Sequence, residues 1–145
     1  MSPDYSITIP PSDVVRDLGV YVNYNWSYNE HVKIVYSKAK QRINMLLRTF
    51  MCRTVEFMRF CWKTYIQPIL DYCSQVWGPT GGSQLLKLES LLRSFSAKVD
   101  GLKGLHYWER LKILKLFSIS RRQERYRILY SYKILHNLTL NCGLT

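Results

Sequence analysis

A chain of 145 residues that is 47% hydrophobic and 14% aromatic, with eleven tyrosines, has the material for a buried core in one domain, or in one large piece of a bigger protein. This excludes intrinsic disorder. Lysine and arginine total 21 against 10 acids, a net charge of +11 and a pI near 9.7, which points to a polyanionic partner, with nucleic acid ahead of a membrane surface or a merely solvated face.

The N-terminal stretch MSPDYSITIPPSD is polar, so no signal peptide is expected, and no run approaches the length of a membrane span. Pro3, Pro10 and Pro11 around the alternating SITI suit an extended edge segment rather than a helix. Val14 to Val22, with Gly19 inside it, is the one convincing β signal. It reads either as a strand bulged at the glycine or as two short strands turning around Asp17-Leu18-Gly19.

Ser27 with Glu30 has the spacing of a capping box, and no glycine or proline interrupts the chain from there to Phe50. Val32, Val35, Ala39, Ile43, Leu46 or Leu47, and Phe50 recur at helical steps and predict an apolar face. Lys33, Lys38, Lys40, Arg42 and Arg48 lie off that stripe, and no acid stands between Glu30 and Glu56 to neutralise them. Surface helices ordinarily mix both signs, so these five cations are expected to contact phosphates.

Thr54 to Trp77 reads as a kinked core helix on which the rest is hung. Thr54 would cap it through its hydroxyl, with Glu56 favoured in the first turn by the helix dipole. Phe57, Phe60, Cys61, Trp62, Tyr65, Ile66, Ile69, Leu70, Cys73, Val76 and Trp77 exceed one narrow stripe, which predicts that other helices wrap it. Pro68 lacks an amide hydrogen, so the helix is expected to kink or restart there.

Gly78, Pro79, Gly81 and Gly82 mark the clearest break. A helix from Gln84 to Lys98 follows, with Leu85, Leu88, Leu92, Phe95 and Val99 inward, a Glu89–Arg93 pair at i,i+4, and Gly101 as its stop. A short helix near Tyr107 to Leu116 should turn Leu111, Leu114 and Phe117 inward. The final helix, about Ser120 to Asn137, starts with Arg121, Arg122, Arg125 and Arg127 against Glu124 alone and becomes apolar through Tyr126, Leu129, Tyr130, Ile134 and Leu135. Arginines at a helix N-terminus oppose the macrodipole, so an external anion is a reasonable partner for them. The tail from Leu138 is expected to fray. The fold class expected is mainly α: a five-helix bundle with a short N-terminal β-hairpin or strand, divided as residues 1–26, 27–137 and a tail 138–145.

Cysteines at 52, 61, 73 and 142 form no CxxC pair and stand at no finger spacing from a histidine, so no metal site is expected. Three lie in or beside the apolar helix, which fits free thiols in a reducing, intracellular compartment, nuclear or cytoplasmic. The sequons at Asn25 and Asn137 are then chance matches. Trp62, Trp77, Tyr65 and Tyr72 are expected in the core. Neither His31, His106 nor His136 has a partner at catalytic or metal spacing.

Asp17-Leu18-Gly19-Val20, His31 with Lys38-Ala39, Gln67-Pro68-Ile69-Leu70-Asp71-Tyr72-Cys73-Ser74-Gln75-Val76-Trp77, Leu88-Glu89-Ser90, Gly101-Leu102, Tyr107 with Glu109-Arg110-Leu111, Arg121-Arg122, and Tyr132-Lys133-Ile134-Leu135 occur in this order. Together they resemble the region after the catalytic palm of non-LTR, LINE-like retrotransposon reverse transcriptases. The resemblance covers nearly the whole chain and is most specific from Pro68 to Trp77. It implies that Asp17, Leu18 and Gly19 belong to a primer-grip-like hairpin and that the helices form a thumb-like unit holding template and primer. The implied partners are an RNA–DNA hybrid or other nucleic-acid duplex, and the palm domain of a parent polymerase. Polymerases of this kind carry paired metal-binding aspartates, and this chain has no Asp-Asp pair. The expectation is therefore a fragment with no catalytic residues and no cofactor of its own, the Mg belonging to the parent enzyme.

Overall fold

The computed structural model describes residues 12–79 and 81–136. The SITI segment, the tail from Leu138 and Cys142 lie outside the described residues. The architecture is mainly helical, with a short antiparallel hairpin at the start.

Strands β1 (Val14–Asp17) and β2 (Val20–Asn23) pair Asp17 with Val20 and Val14 with Asn23, which selects the two-strand reading of this segment. The turn is Leu18 and Gly19, at φ of 45° and 86°. Positive φ at both central residues is the requirement of a tight hairpin whose twist matches its strands. Glycine meets it freely, whereas Leu18 adopts it against its own Cβ. Only β2 leans on the helices: Val20 is buried, while all four residues of β1 are exposed.

Helix α1 (Asn29–Thr49) buries His31, Val32, Val35, Ala39, Ile43 and Leu46, the predicted stripe with a histidine added. Two details differ. Tyr28, not Ser27, occupies the cap position, and Glu30 is drawn to Lys33 at 2.7 Å instead of reaching back to close a box. Phe50 is exposed and meets Phe57 edge-on at 5.1 Å.

The predicted kinked rod is four pieces: α2 (Val55–Cys61), a π-helical turn (Trp62–Ile66), α3 (Gln67–Asp71) and α4 (Ser74–Trp77). Thr54 stands at the α2 cap position but makes no capping bond; its hydroxyl lies 3.7 Å from the Cys52 sulfur. The chain accommodates Pro68 before reaching it. The Gln67 amide donates five residues back to the Trp62 carbonyl, so the ladder widens by one residue and Pro68 falls in the first turn of α3, where its missing N–H costs no bond. The true break comes later, at Cys73, whose φ is 52°. The sulfur-bearing side chain is half-buried there, and the Trp77 indole N–H donates to the Tyr72 carbonyl at 2.6 Å, bracing the corner. Gly78 closes α4, since a Cβ there would stand 2.4 Å from the Ser74 carbonyl oxygen.

This rod is wrapped on one side only. Met58, Cys61, Trp62, Ile66, Leu70 and Trp77 are buried, whereas Phe60, Tyr65, Tyr72 and Val76 are exposed. The buried set recurs mostly every four residues, and the wide π turn keeps it on one side where a regular helix would rotate it away. Trp62 packs against Phe95 of α5 (Gly82–Ser96) at 5.1 Å between ring centres. Leu88, Leu91, Leu92 and Phe95 complete that centre, with α1 and α5 flanking the rod.

Helices α6 (Tyr107–Leu114) and α7 (Ile119–Leu135) are joined to α5 by a buried polar group. Glu89 does not pair with Arg93. It accepts hydrogen bonds from the Tyr107 hydroxyl and, at 3.1 Å, from the Ser120 amide at the head of α7. A buried carboxylate needs such donors. Burial and the Glu89 hydrogen bond push the Tyr107 phenol well above the usual tyrosine range. Arg93 instead stacks over the Tyr107 ring, 4.8 Å from its centre. Phe117, predicted inward, is exposed: the α6 helix ends at a left-handed Lys115, and the connection turns Leu116 in and Phe117 out.

Candidate nucleic-acid interface

At roughly 100° per residue, the α1 cations do not form one face. Lys33 and Lys40 flank the buried stripe on the α5 side, Lys38 and Arg42 flank it on the other, and Arg48 points directly away from it. All five are exposed. Lys33 is bound to Glu30, a surface pair worth only a few tenths of a kcal/mol, roughly, and easily exchanged. Among the described residues, Lys38, Lys40, Arg42 and Arg48 have no carboxylate partner.

Two residues outside the predicted set join these flanks. Lys87 of α5 places its ammonium 5.1 Å from the centre of the Tyr36 ring, and Lys40 reaches the same ring at 5.7 Å. One tyrosine thus gathers cations from two helices, using the negative face of its π system. On the opposite flank, Arg16 of β1 and Lys38 border a cavity of about 530 Å³ with His31, Ile69 and Tyr72 beneath the hairpin. His31 is buried; its Nδ1 accepts from the Tyr21 amide at 3.3 Å and its ring meets Trp77 edge-on at 4.9 Å. Burial, with the Lys38 charge nearby, holds its pKa below the ordinary histidine value, so it is a neutral packing residue.

Asp17, Leu18 and Gly19, which the resemblance assigns to a primer-grip-like hairpin, sit at the hairpin tip. Asp17 is exposed, Leu18 is 83% exposed, and the Leu18 carbonyl accepts from the Tyr72 hydroxyl at 2.8 Å. That one bond pins the tip to the corner after α3, which is why Tyr72 is at the surface and not in the core. No spacing in the sequence announces this contact, because its partners lie 54 residues apart.

The four arginines of α7 divide. Arg122 turns inward and donates to Asp71, with Nη2–Oδ2 at 2.6 Å and Nε–Oδ1 at 3.4 Å. The Tyr126 hydroxyl, 2.6 Å from Arg122 Nη2, closes the group. This pair of charges ties α7 to α3 and answers what Asp71 is for; Glu124, the expected counter-charge, is not in it. Arg127 is half-buried, and Arg121 and Arg125 are exposed. The latter two border a groove of about 580 Å³ with Phe117, Ile128 and Leu129, in which the Arg121 guanidinium lies 5.6 Å from the Phe117 ring centre.

Among the described residues no group of three or more histidine, cysteine or acidic side chains is placed to hold a metal ion, and no helix is long and apolar enough to cross a membrane. Of the cysteines described, Cys61 is buried, Cys73 is half-buried and Cys52, beside the rod, is exposed.

No family model matches the chain, and no solved structure matches it. Among curated proteins it is similar to an uncharacterized protein of Caenorhabditis elegans, with 27% identity over 127 residues, covering 86% of this chain and 62% of that relative. The chain therefore spans less than two thirds of the relative's length.

Proposed function

We propose that this chain is a non-catalytic, thumb-like module of a LINE-like reverse transcriptase that grips template–primer duplex through phosphate contacts without reading its sequence. The observation that carries the proposal is the stretch from His31 to Val55, which holds no acid and exposes Lys38, Lys40, Arg42 and Arg48 on a helix anchored along its length by a buried stripe. Fixed cations without internal partners gain by displacing the counterions of a polyphosphate. The chemistry of nucleotide addition, with its Mg, falls to a palm domain that this chain does not supply, so primer extension by the isolated chain should give no product.

Binding to an RNA–DNA hybrid is expected to weaken steeply with salt. Replacing Lys40, Arg42 and Arg48 together by Gln should flatten the plot of log K against log salt by about 0.9 or less for each phosphate that is no longer neutralised. These side chains are exposed, so the fold should survive. An unchanged slope removes α1 from the interface. Failure of micromolar protein to retain hybrid at low salt removes the whole proposal and leaves a protein-interaction module as the better reading. The observation favouring that second reading is the exposure of Ile128, Tyr132, Ile134 and Leu135 along α7.

A further inference from the structure

The groove at the head of α7 combines features that the phosphate-gripping role does not require. Phe117 stands outward, 51% exposed, although its spacing after Leu111 and Leu114 suits the core. The Arg121 guanidinium is set over its ring, 5.6 Å from the centre, and Arg125 follows one turn later on the same side. Ile128, 62% exposed, and Leu129, 45% exposed, continue the wall of the groove. A ring with a guanidinium stacked on it presents a flat, positively charged surface. Such a surface suits a ligand that carries a planar ring and an anion one backbone unit apart. A phosphate within an intact duplex would use Arg121 and Arg125 but would leave Phe117 and the apolar wall in water, because paired bases present no ring face to the outside. An unpaired nucleotide uses all of them, its base on Phe117 and its phosphate on Arg125.

We propose that this groove is a second site, which stacks an unpaired base of a strand running out of the duplex. This inference rests on the nucleic-acid-binding reading above and adds the ligand class of a separate surface. Arg122 and Glu124 also border the groove; Arg122 is already held by Asp71, so Arg121 and Arg125 are the cations left for the ligand's phosphate.

The test uses the full chain and three fluorescent probes: a blunt RNA–DNA hybrid, the same hybrid with a short single-stranded template extension carrying 2-aminopurine, and the extension strand alone. The extension should tighten binding on the order of tenfold over the blunt hybrid and quench the 2-aminopurine. Phe117→Ala should abolish that gain and the quenching while leaving affinity for the blunt hybrid unchanged; Phe117→Trp should restore both. The side chain is exposed, so its removal leaves the core intact. Equal affinity of the native chain for blunt and extended hybrids, or a gain that survives Phe117→Ala, overturns the second site while phosphate gripping stands. Loss of blunt-hybrid binding together with Phe117-dependent binding of the lone strand overturns the duplex grip and supports this site.

Discussion

Helices α1 and α7 are both long, both basic and both apolar on part of their surface, yet they are held in opposite ways. Six side chains spread over most of α1 are buried. In α7 burial is confined to Ile119 and Gln123 near its start, and from Ile128 onward Leu129, Tyr130, Tyr132, Ile134 and Leu135 are between 44% and 80% exposed. A helix packed along its length holds its outward cations at fixed positions on both flanks of the buried stripe. A helix fixed only at its head, by the buried Ile119 and Gln123, the Glu89 contact and the Arg122–Asp71 pair, has a rigid first half and an apolar second half that calls for covering by something else.

The sharpest way to break this contrast is to remove one isoleucine from each helix. Ile43→Ala in α1 should cost about 2–5 kcal/mol in a denaturant titration, because it opens a cavity in a packed centre. Ile134→Ala in α7 should stay within about 0.5 kcal/mol. A comparable loss from both would mean that α7 is packed far beyond its first turns. Of intermediate size is the anchor itself. A double-mutant cycle with Arg122→Ala and Asp71→Ala should give a coupling of about 1–2 kcal/mol, reduced from that of a deeply buried pair because each side chain is about a fifth exposed. A coupling near zero would leave Glu89 and the packing of Ile119 and Gln123 as the attachment of α7.

The mildest effect expected is a pH dependence belonging to α1. His31 has a folded pKa below its unfolded value of 6.5, because burial and Lys38 disfavour its charge. The unfolded chain therefore binds the proton more readily, and stability that is fully present above pH 6.5 should decline as the pH falls through that value toward the folded pKa. His31→Gln should flatten this part of the profile, while α7 variants should leave it unchanged. A profile in which stability rises on acidification would contradict a buried, neutral His31.

The elements were largely legible because they depend on local chemistry. The three- and four-residue recurrence from Val32 to Leu46 and the glycines around Pro79 each mark an element or its end by themselves, while Asp17–Gly19 marked either a bulge or a turn. The details that failed are those in which a local preference met a distant partner. Ser27 and Glu30 have the letters of a capping box, but Lys33 was nearer to the carboxylate. Glu89 and Arg93 have the spacing of a surface pair, but the Tyr107 hydroxyl and the Ser120 amide took the carboxylate into the interior. Of the nine cations expected to meet phosphate, Arg122 is turned inward onto Asp71 and Lys33 is paired at the surface with Glu30, while Lys87 and Arg16, which no motif marks, stand beside the others.

Composition, periodicity and turn residues by themselves determined that this chain is a basic, mainly helical unit preceded by a short β segment, since the burial of apolar stripes and the φ demands of turns act over a few residues. Only the tertiary structure decided how Pro68 is accommodated, which side of the Thr54–Trp77 rod is covered, and which arginines remain free for an anion. Those outcomes depend on groups dozens of residues apart competing for the same hydrogen bonds and the same buried space. No local pattern records that competition.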